Sequence, residues 1–257
     1  MTAVRIAALF DIHGNLPALE AVVRELLAEE VDEVLVGGDV VPGPMPEACL
    51  ALLEECALPV RYIRGNGEVD VLDVARGMVP PRVPPAFLPV VRWCAGTLSA
   101  ERLGAMASWP LTLTRDVPGQ GPVLFCHATP RDDNEIFTRL TPEDRVLTAF
   151  QGVEATRIVC GHTHMQFRRG IGEMEVVNAG SVGLPFGEVG AHWAMVTPDG
   201  ISLRNTAYDV EQAVARIGET EYPGTLELRA PPSESAMLAL FEGAELGGPS
   251  RGGAPRE

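Results

Sequence analysis

Short apolar runs alternate with amphipathic stretches along the first sixty residues of the chain. The first apolar run, residues 4–10, precedes residues 16–29, where apolar side chains recur at spacings of three and four. These patterns predict a buried strand followed by a helix with one apolar face. Two more strand-like runs, 32–38 and 60–64, enclose a second helical stretch at 47–55. This alternation favours a parallel sheet built from right-handed βαβ units.

The second half of the chain is richer in short strands. We predict strands at 111–115, 123–126, 157–160, 166–169, 173–177, 193–196 and 202–204, and helices at 99–108, 142–150 and 210–217. Runs of strands suggest a second sheet, mixed or antiparallel, packed on the first. We expect one domain over residues 1–222 and an extension over 223–257. The extension should carry a short helix near 235–241 and a disordered end that is poor in apolar residues.

A proline-rich stretch interrupts the alternation. Five prolines fall between positions 80 and 89. Proline lacks a backbone N–H and has a fixed φ, so we expect neither a regular helix nor a central strand over residues 78–93. Long loops are often functional, and this one is either a lid or rim over a site or a surface connection.

Residues of the metal-ligand type follow five of the predicted strands. They are Asp11 and His13, Asp39, Asn66, His127, and His162 with His164. Because ligands bind outside the carboxyl ends of strands in open α/β sheets, we expect these side chains to meet at one polynuclear site. Imidazole and carboxylate without thiolate suit Mn, Fe, Co, Ni or Zn, whereas Mg and Ca prefer sites made of oxygens.

The order of these motifs resembles that of the calcineurin-like metallophosphoesterases. The five motifs are Asp-x-His at 11–13, Gly-Asp at 38–39, Gly-Asn at 65–66, Cys-His at 126–127 and Gly-His-Thr-His at 161–164. Segments 38–44, 127–131 and 178–183 look like the small bacterial phosphodiesterase-like branch of this family. The resemblance covers residues 4–215. It implies a four-layer α/β/β/α sandwich of two mixed sheets.

The resemblance also implies a centre of two divalent ions, with Mn favoured. One ion would be held by Asp11, His13, Asp39 and His164, and the other by Asp39, Asn66, His127 and His162. The implied activity is phosphoester hydrolysis, with a phosphodiesterase favoured, in which a hydroxide bridging the ions attacks phosphorus. The alternatives are a phosphomonoesterase, a dinucleoside-polyphosphate hydrolase, a nuclease, or a metal-binding protein-interaction module with little catalysis.

Five residues are candidates for catalysis or substrate contact. Asp39, Asn66 and His127 would act through the ions. Arg131 is a candidate phosphate clamp, because a guanidinium matches a phosphate, although a solvated surface arginine is an equal alternative. Asn15 would either position a phosphate oxygen or cap the following helix.

One position departs from the family pattern. The family usually has Gly-Asn-His-Asp/Glu, whereas this chain has Gly65-Asn66-Gly67-Glu68. The family histidine is thought to help protonate the leaving group, and general acid assistance is worth ~10²–10⁴-fold. We therefore expect aryl esters to react better than alkyl monoesters. His192 and Glu68 are candidates to replace the histidine, and Gly67 is expected to open space for a bulkier diester.

Composition narrows the classes of function. The formal net charge is −15, and all 20 basic residues are arginine. Without lysine, a Walker-type phosphate loop and Schiff-base chemistry are excluded. The acidic balance disfavours long duplex DNA. The expected substrates are small phosphate esters or nucleotides, and short or single-stranded nucleic acid stays open.

Cysteine usage and hydropathy indicate a cellular location. The chain has five cysteines and no Cys-x-x-Cys pair, which favours free thiols in a reducing compartment. No apolar run approaches the ~18 residues of a membrane helix, and the first residues lack an export signal. We expect a cytoplasmic protein without a membrane partner. A homo-oligomer is compatible with the sequence.

Overall fold

Ten strands form two mixed sheets in residues 4–246, the part of the chain that the computed structural model describes. The strands are β1 (Ile6–Leu9), β2 (Glu33–Val36), β3 (Val60–Tyr62), β4 (Thr112–Val117), β5 (Gly121–Cys126), β6 (Arg157–Cys160), β7 (Phe167–Ile171), β8 (Met174–Asn178), β9 (Ala191–Thr197) and β10 (Gly200–Thr206). The first sheet has the order β10-β9-β1-β2-β3 and the second the order β4-β5-β6-β8-β7. Parallel pairing joins β1, β2 and β3 in one sheet and β5, β6 and β8 in the other.

Helices cover the outer faces of the two sheets. Those in the described part are α1 (Leu16–Ala28), α2 (Pro46–Glu54), α3 (Asn66–Ala75), α4 (Leu88–Thr97), α5 (Ala100–Met106), α6 (Glu143–Ala149), α7 (Val210–Gly218) and α8 (Glu234–Phe241). None of the helices in residues 4–246 combines the length and apolarity that crossing a bilayer requires.

The alternation of side chains along each strand produces the layers. In β1, Leu9 packs in the core that α1 and α2 share with the first sheet, while Ala8 faces the second sheet. In β5, Phe125 enters the core between the sheets and Leu124 packs in the core that contains α6. Because successive strand residues point to opposite faces, each sheet contributes to two cores. The order helix, sheet, sheet, helix confirms the four-layer α/β/β/α class.

The proline-rich stretch is not irregular throughout. Helix α4 begins at Leu88, and Pro89 lies in its first turn. Proline is tolerated there because the first N–H groups of a helix have no partner within it. The expectation that no regular helix forms over residues 78–93 is therefore wrong for 88–93. The sequence pattern also missed α3, which begins at Asn66, four residues after the end of β3.

The segment after residue 222 contacts the rest of the chain. Leu228 is buried, and the ring of Phe241 in α8 lies 6.4 Å from that of Phe186. The boundary at 222 stays a prediction. The end that we expected to be disordered, from 247 onward, lies outside the described residues.

Candidate metal centre

Side chains that follow β1, β2, β5 and β6 converge where the two sheets meet. The ligand atoms of Asp11, His13 and His164 lie within 4.8 Å of one another, as do those of Asp11, Asp39 and His127. Asp39 Oδ1 is 3.6 Å from His127 Nε2, and its Oδ2 is 3.7 Å from His13 Nε2. The two groups therefore share Asp11, and Asp39 presents one oxygen toward each of them.

Asp11 provides the test of whether these residues fit a metal ion. Its Oδ1 is buried without a hydrogen-bond partner and lies 3.3 Å from His164 Nε2 and 3.8 Å from His127 Nε2. Its Oδ2 accepts the backbone N–H of His162 at 2.8 Å. A buried, unpaired carboxylate oxygen is costly unless a cation balances it. An oxygen surrounded by imidazole nitrogens is a donor set that fits a borderline divalent ion.

Backbone carbonyls orient three of the imidazoles. In each, Nδ1 lies 2.7–3.1 Å from a main-chain oxygen. The pairs are His13 with Pro42, His127 with Gly37, and His164 with Leu184. In a neutral imidazole with its proton on Nδ1, the Nε2 lone pair would point into the cluster, as in known metal-ligating histidines.

His162 and Asn66 border the second group. His162 Nε2 lies 3.2 Å from the carbonyl oxygen of Asn134, which leaves Nδ1 as the nitrogen with a free lone pair. Its ring meets that of His127 edge-on, with 5.1 Å between centroids. Asn66 Oδ1 lies 3.2 Å from His127 Nε2. All seven residues that the sequence singled out as ligands thus lie in one neighbourhood.

Burial and mutual charge set the protonation of these groups. Burial lowers the pKa of His162, and the charge of His127 lowers it further, to about 3. Burial by itself raises the pKa of Asp11, but the charges of His164 and His127 outweigh burial and hold that pKa well below its usual range. At neutral pH, Asp11 is a carboxylate and His162 is neutral. Metal binding requires these protonation states.

The ligand residues have an unusual backbone. Within residues 4–246, the non-glycine residues with a left-handed backbone are all candidate ligands, with φ between 45° and 68°. They are Asp11, His13, Asp39, His162 and His164. Left-handed geometry costs an L-residue roughly 1–2 kcal/mol, so it persists where the surroundings impose it. The strain lies at the strand ends, where the chain must turn sharply to aim its ligands.

Glu68 holds two ligand loops together. Its Oε2 accepts the backbone N–H groups of Asp39 and Gly65 at 2.8 and 2.7 Å, and its Oε1 accepts those of Val40 and Val41 at 2.8 and 3.3 Å. The side chain is fully buried, and these four contacts are to main chain. Glu68 is therefore a positioning residue, and the expectation that it replaces the family histidine is wrong.

The space expected at Gly67 is already filled. A Cβ on Gly67 would lie 2.0 Å from the carbonyl oxygen of Val41 and 2.9 Å from Pro42 Cδ. The Gly67 N–H also donates to Asp39 Oδ1 at 2.7 Å. The expectation that this glycine opens room for a bulkier diester is wrong, because the 41–42 loop occupies that room.

Two substrate contacts suggested by the sequence are not brought to the cluster. Arg131 is half exposed, and its guanidinium pairs with Glu135 at 2.6 Å, which corrects its assignment as a phosphate clamp. Asn15 is buried, accepts the N–H of Ala18 at 3.2 Å and donates to the carbonyl of Gly183 at 2.9 Å. Of its two predicted roles, the helix cap is the one that the structure shows.

His192 also stays away from the cluster. It is buried in β9, where its backbone N–H donates to the carbonyl of Ser181 at 2.9 Å. Neither ring nitrogen has a hydrogen-bond partner in the described chain. His192 does not line the cavity above the ligands. It is therefore a packed histidine rather than a substitute acid.

Sequence analysis did not single out Arg82. Its guanidinium donates to Asp70 Oδ1, Asp133 Oδ1 and the carbonyl oxygen of Asn66, at 2.8, 2.9 and 2.9 Å. These contacts tie the proline-rich segment to a candidate ligand. An arginine within a loop carries no sequence signal for such a contact, because its partners come from two other segments, α3 and the loop that contains Asp133.

A cavity of about 300 Å³ opens above the ligands. Its floor contains His13, Asp39, Asn66, His162 and His164. Its walls are formed by Pro42, Phe87, Val90, Leu184, Tyr222, Thr225 and Leu226. The proline-rich stretch contributes Phe87 and Val90, which favours its interpretation as a rim.

Comparison with known proteins defines the family. Residues 4–200 match the model of the calcineurin-like phosphoesterase superfamily domain, and the chain belongs to that superfamily. It is 28% identical over 170 residues to an uncharacterized protein of Methanocaldococcus jannaschii, and the match spans 63% of each chain. The family resemblance is thus confirmed, and membership supports a phosphoester hydrolase.

Solved structures show the same fold. A hypothetical protein from Pyrococcus horikoshii aligns with a TM-score of 0.72 at 18% identity, covering 96% of this chain and 100% of that one. A metallophosphoesterase from Sphaerobacter thermophilus aligns with a TM-score of 0.66 at 24% identity, covering 94% of this chain and 100% of that one.

We predict that Glu68→Gln lowers the free energy of unfolding by about 2–4 kcal/mol, because its amide group would face two buried N–H donors that then lack an acceptor. Chemical denaturation of the metal-free protein measures the change. Glu30→Gln, at an exposed position, is the matched control. Equal stability of the two variants would show that the loops do not depend on this carboxylate.

We also predict that His162→Gly is more stable than His162→Ala by about 1–2 kcal/mol in the metal-free protein, because glycine adopts a φ of 68° without steric cost. Both variants lose the same imidazole contacts, so the difference in unfolding free energy isolates the backbone. At Arg24, in the middle of α1, the alanine variant should instead be more stable than the glycine variant.

Proposed function

We propose that this protein is a phosphodiesterase with two divalent metal ions, of which Mn is favoured. The observation that carries the proposal is the pair of ligand groups that share the unpaired Asp11 carboxylate. Asp11, His13, Asp39 and His164 would hold one ion. Asp39, Asn66, His127 and His162 would hold the other. The two oxygens of Asp39, directed to opposite sides of the cluster, support its role as a bridge.

The chain supplies position and electrostatics at this site. When bound, two divalent ions would supply an activated water and offset the charge of the phosphoryl oxygens. Gly67 N–H holds Asp39 Oδ1, and Glu68 holds the backbone of the same loop. Arg82 holds the backbone of Asn66. These contacts fix the ligands before substrate arrives, so little reorganisation opposes the reaction.

The charge of the cavity favours a diester. Among the described residues that line it, none is an arginine, and the only titratable groups besides Tyr222 are the candidate ligands. Two dications against Asp11, Asp39 and one hydroxide would leave about one positive charge to face the substrate. A diester carries one negative charge and a monoester two near neutral pH. With Arg131 turned toward Glu135, a dianion lacks the further cation that would complement it.

The leaving group would receive little protonation from the chain. Glu68, His192 and position 67 provide no acid at the cavity, as their contacts show. An aryl oxide departs without a proton far more readily than an alkoxide. The site therefore favours aryl esters and disfavours the alkyl monoesters of phosphoproteins.

We predict that metal-stripped protein regains hydrolysis of bis(4-nitrophenyl) phosphate on addition of Mn, and that it cleaves 4-nitrophenyl phosphate more slowly. Asp39→Asn should lower the Mn-dependent rate at least ~100-fold, because it removes the shared charge. Asp199→Asn, in the exposed β9–β10 turn, is the control and should keep the rate. Mn-independent turnover, or full activity of Asp39→Asn, would contradict the proposal.

We further predict a steep dependence of kcat on the leaving group in a series of methyl aryl phosphates. Each rise of one unit in the phenol pKa should slow the reaction severalfold, because no general acid balances the developing charge. A flat dependence would show that some group protonates the leaving oxygen. KM is determined separately for each methyl aryl phosphate in the series.

A further inference from the structure

Five of the seven wall residues of the cavity come from two segments outside the ligand motifs. Phe87 and Val90 belong to the end of the proline-rich stretch and the start of α4, while Tyr222 and Leu226 follow α7. The second segment lies beyond residue 200, where the family match ends. The family match therefore does not account for this second segment, whose chemistry follows from its own residues.

We propose that these walls bind an uncharged aromatic group on the substrate, the ester substituent that stays on phosphorus when the leaving group departs. This proposal rests on the proposed function, and it makes the substrate class an aryl or nucleoside phosphodiester. Aryl and nucleoside esters share a flat, neutral ring that is joined, directly or through a sugar, to the phosphoryl group over the ligands.

Phe87 is the exposed aromatic residue of this wall. The residue is 61% exposed, although it borders a cavity whose floor is strongly polar. Val90 lies three residues further on, so both side chains are on the same side of the helix start. Aromatic rings gain from offset or edge-on contact beyond the gain from buried area, which makes an exposed phenyl ring a suitable surface for another ring.

The part of the wall that contains Tyr222 is held in place. The ring of Tyr222 meets that of Trp93 in α4 edge-on, with 5.4 Å between centroids. A Cβ on Gly224 would lie 2.7 Å from the Tyr222 ring and 3.0 Å from Val90 Cγ2, so the chain after Tyr222 passes close against α4. A wall that is already ordered loses little conformational entropy when a ligand binds.

The composition of the walls selects against charged substituents. Of the described lining residues above the floor, none carries a formal charge. A second phosphate would therefore find no cation there, and a carboxylate would lose solvation without gaining a partner. A neutral ring avoids both costs. This disfavours polyphosphate chains as the retained substituent.

The test compares substrates that share one leaving group. Phenyl 4-nitrophenyl phosphate and methyl 4-nitrophenyl phosphate release the same nitrophenolate from the Mn-loaded full chain. We expect kcat/KM to be about tenfold higher for the phenyl ester, mainly through KM, because the retained ring is bound before and during the reaction. The ratio should fall toward one in Phe87→Ala. Val79→Ala, an exposed apolar site outside the cavity, should keep the wild-type ratio.

A further substrate, a nucleoside ester, distinguishes an aryl ring from a nucleoside base as the preferred ring. Thymidine 5′-(4-nitrophenyl phosphate) has the same leaving group and carries a base in place of phenyl. Preference over the methyl ester in either the phenyl or the nucleoside arm supports the proposal, and the arm with the larger preference identifies the source. A ratio near one in both arms overturns it.

A binding measurement keeps the proposal separate from the proposed function. Calorimetry of diphenyl phosphate and dimethyl phosphate with the Mn-loaded protein should show tighter binding of the diphenyl ester, about tenfold, and a loss of that difference in Phe87→Ala. Selective binding without turnover of any diester would support the aromatic wall and reject the phosphodiesterase. Turnover of both esters with equal binding of the two phosphates would reject the wall alone.

Discussion

The buried carboxylate of Asp11 is the constraint on which the rest of the site depends. One oxygen fixes the backbone of His162, and the other faces imidazole nitrogens without any hydrogen-bond partner in the described chain. In a dry interior such an oxygen is tolerated when a cation balances it. Asp11 follows β1, which packs between two cores, and its side chain is fully buried. Folding and metal binding are therefore linked, since each stabilises the geometry that the other needs.

Main-chain contacts maintain this geometry. Ser181 Oγ donates to the carbonyl of Asp11 at 2.7 Å, and Asn178 Nδ2 donates to the carbonyl of Gly161 at 2.6 Å. Together with Glu68, they hold loops whose ligands have a left-handed backbone. These side chains bind the backbone and not the imidazoles. They hold the strained backbone in place and leave the imidazole nitrogens that face the cluster free. The cost of the strained backbone is thus offset by buried hydrogen bonds around it.

The sequence predicted the two sheets and singled out the candidate ligands because both depend on local patterns. A strand is visible as an apolar run, and the residue at its end is fixed by position in the chain. The roles of Gly67 and Glu68 differ from the sequence-based expectation because they depend on contacts between loops that position alone does not reveal. Arg131 is a different case. Glu135, the partner of Arg131, lies only four residues away and was a visible signal. Val41, which fills the space at Gly67, comes from a different loop and gave no such signal.

The division between floor and walls explains how an acidic protein can act on an anion. With a net charge of −15, the surface as a whole repels phosphates. Attraction must come from a small region where cations outnumber carboxylates. The ligand cluster is the region where the chain can hold such cations. A long polyanion extends beyond such a region and meets the repulsive surface. A small monoanion with neutral substituents does not. On the proposed function, the ligand cluster would set the reaction class. Phe87, Tyr222 and their neighbours, on segments outside the motifs, would set which ester substituent stays on phosphorus.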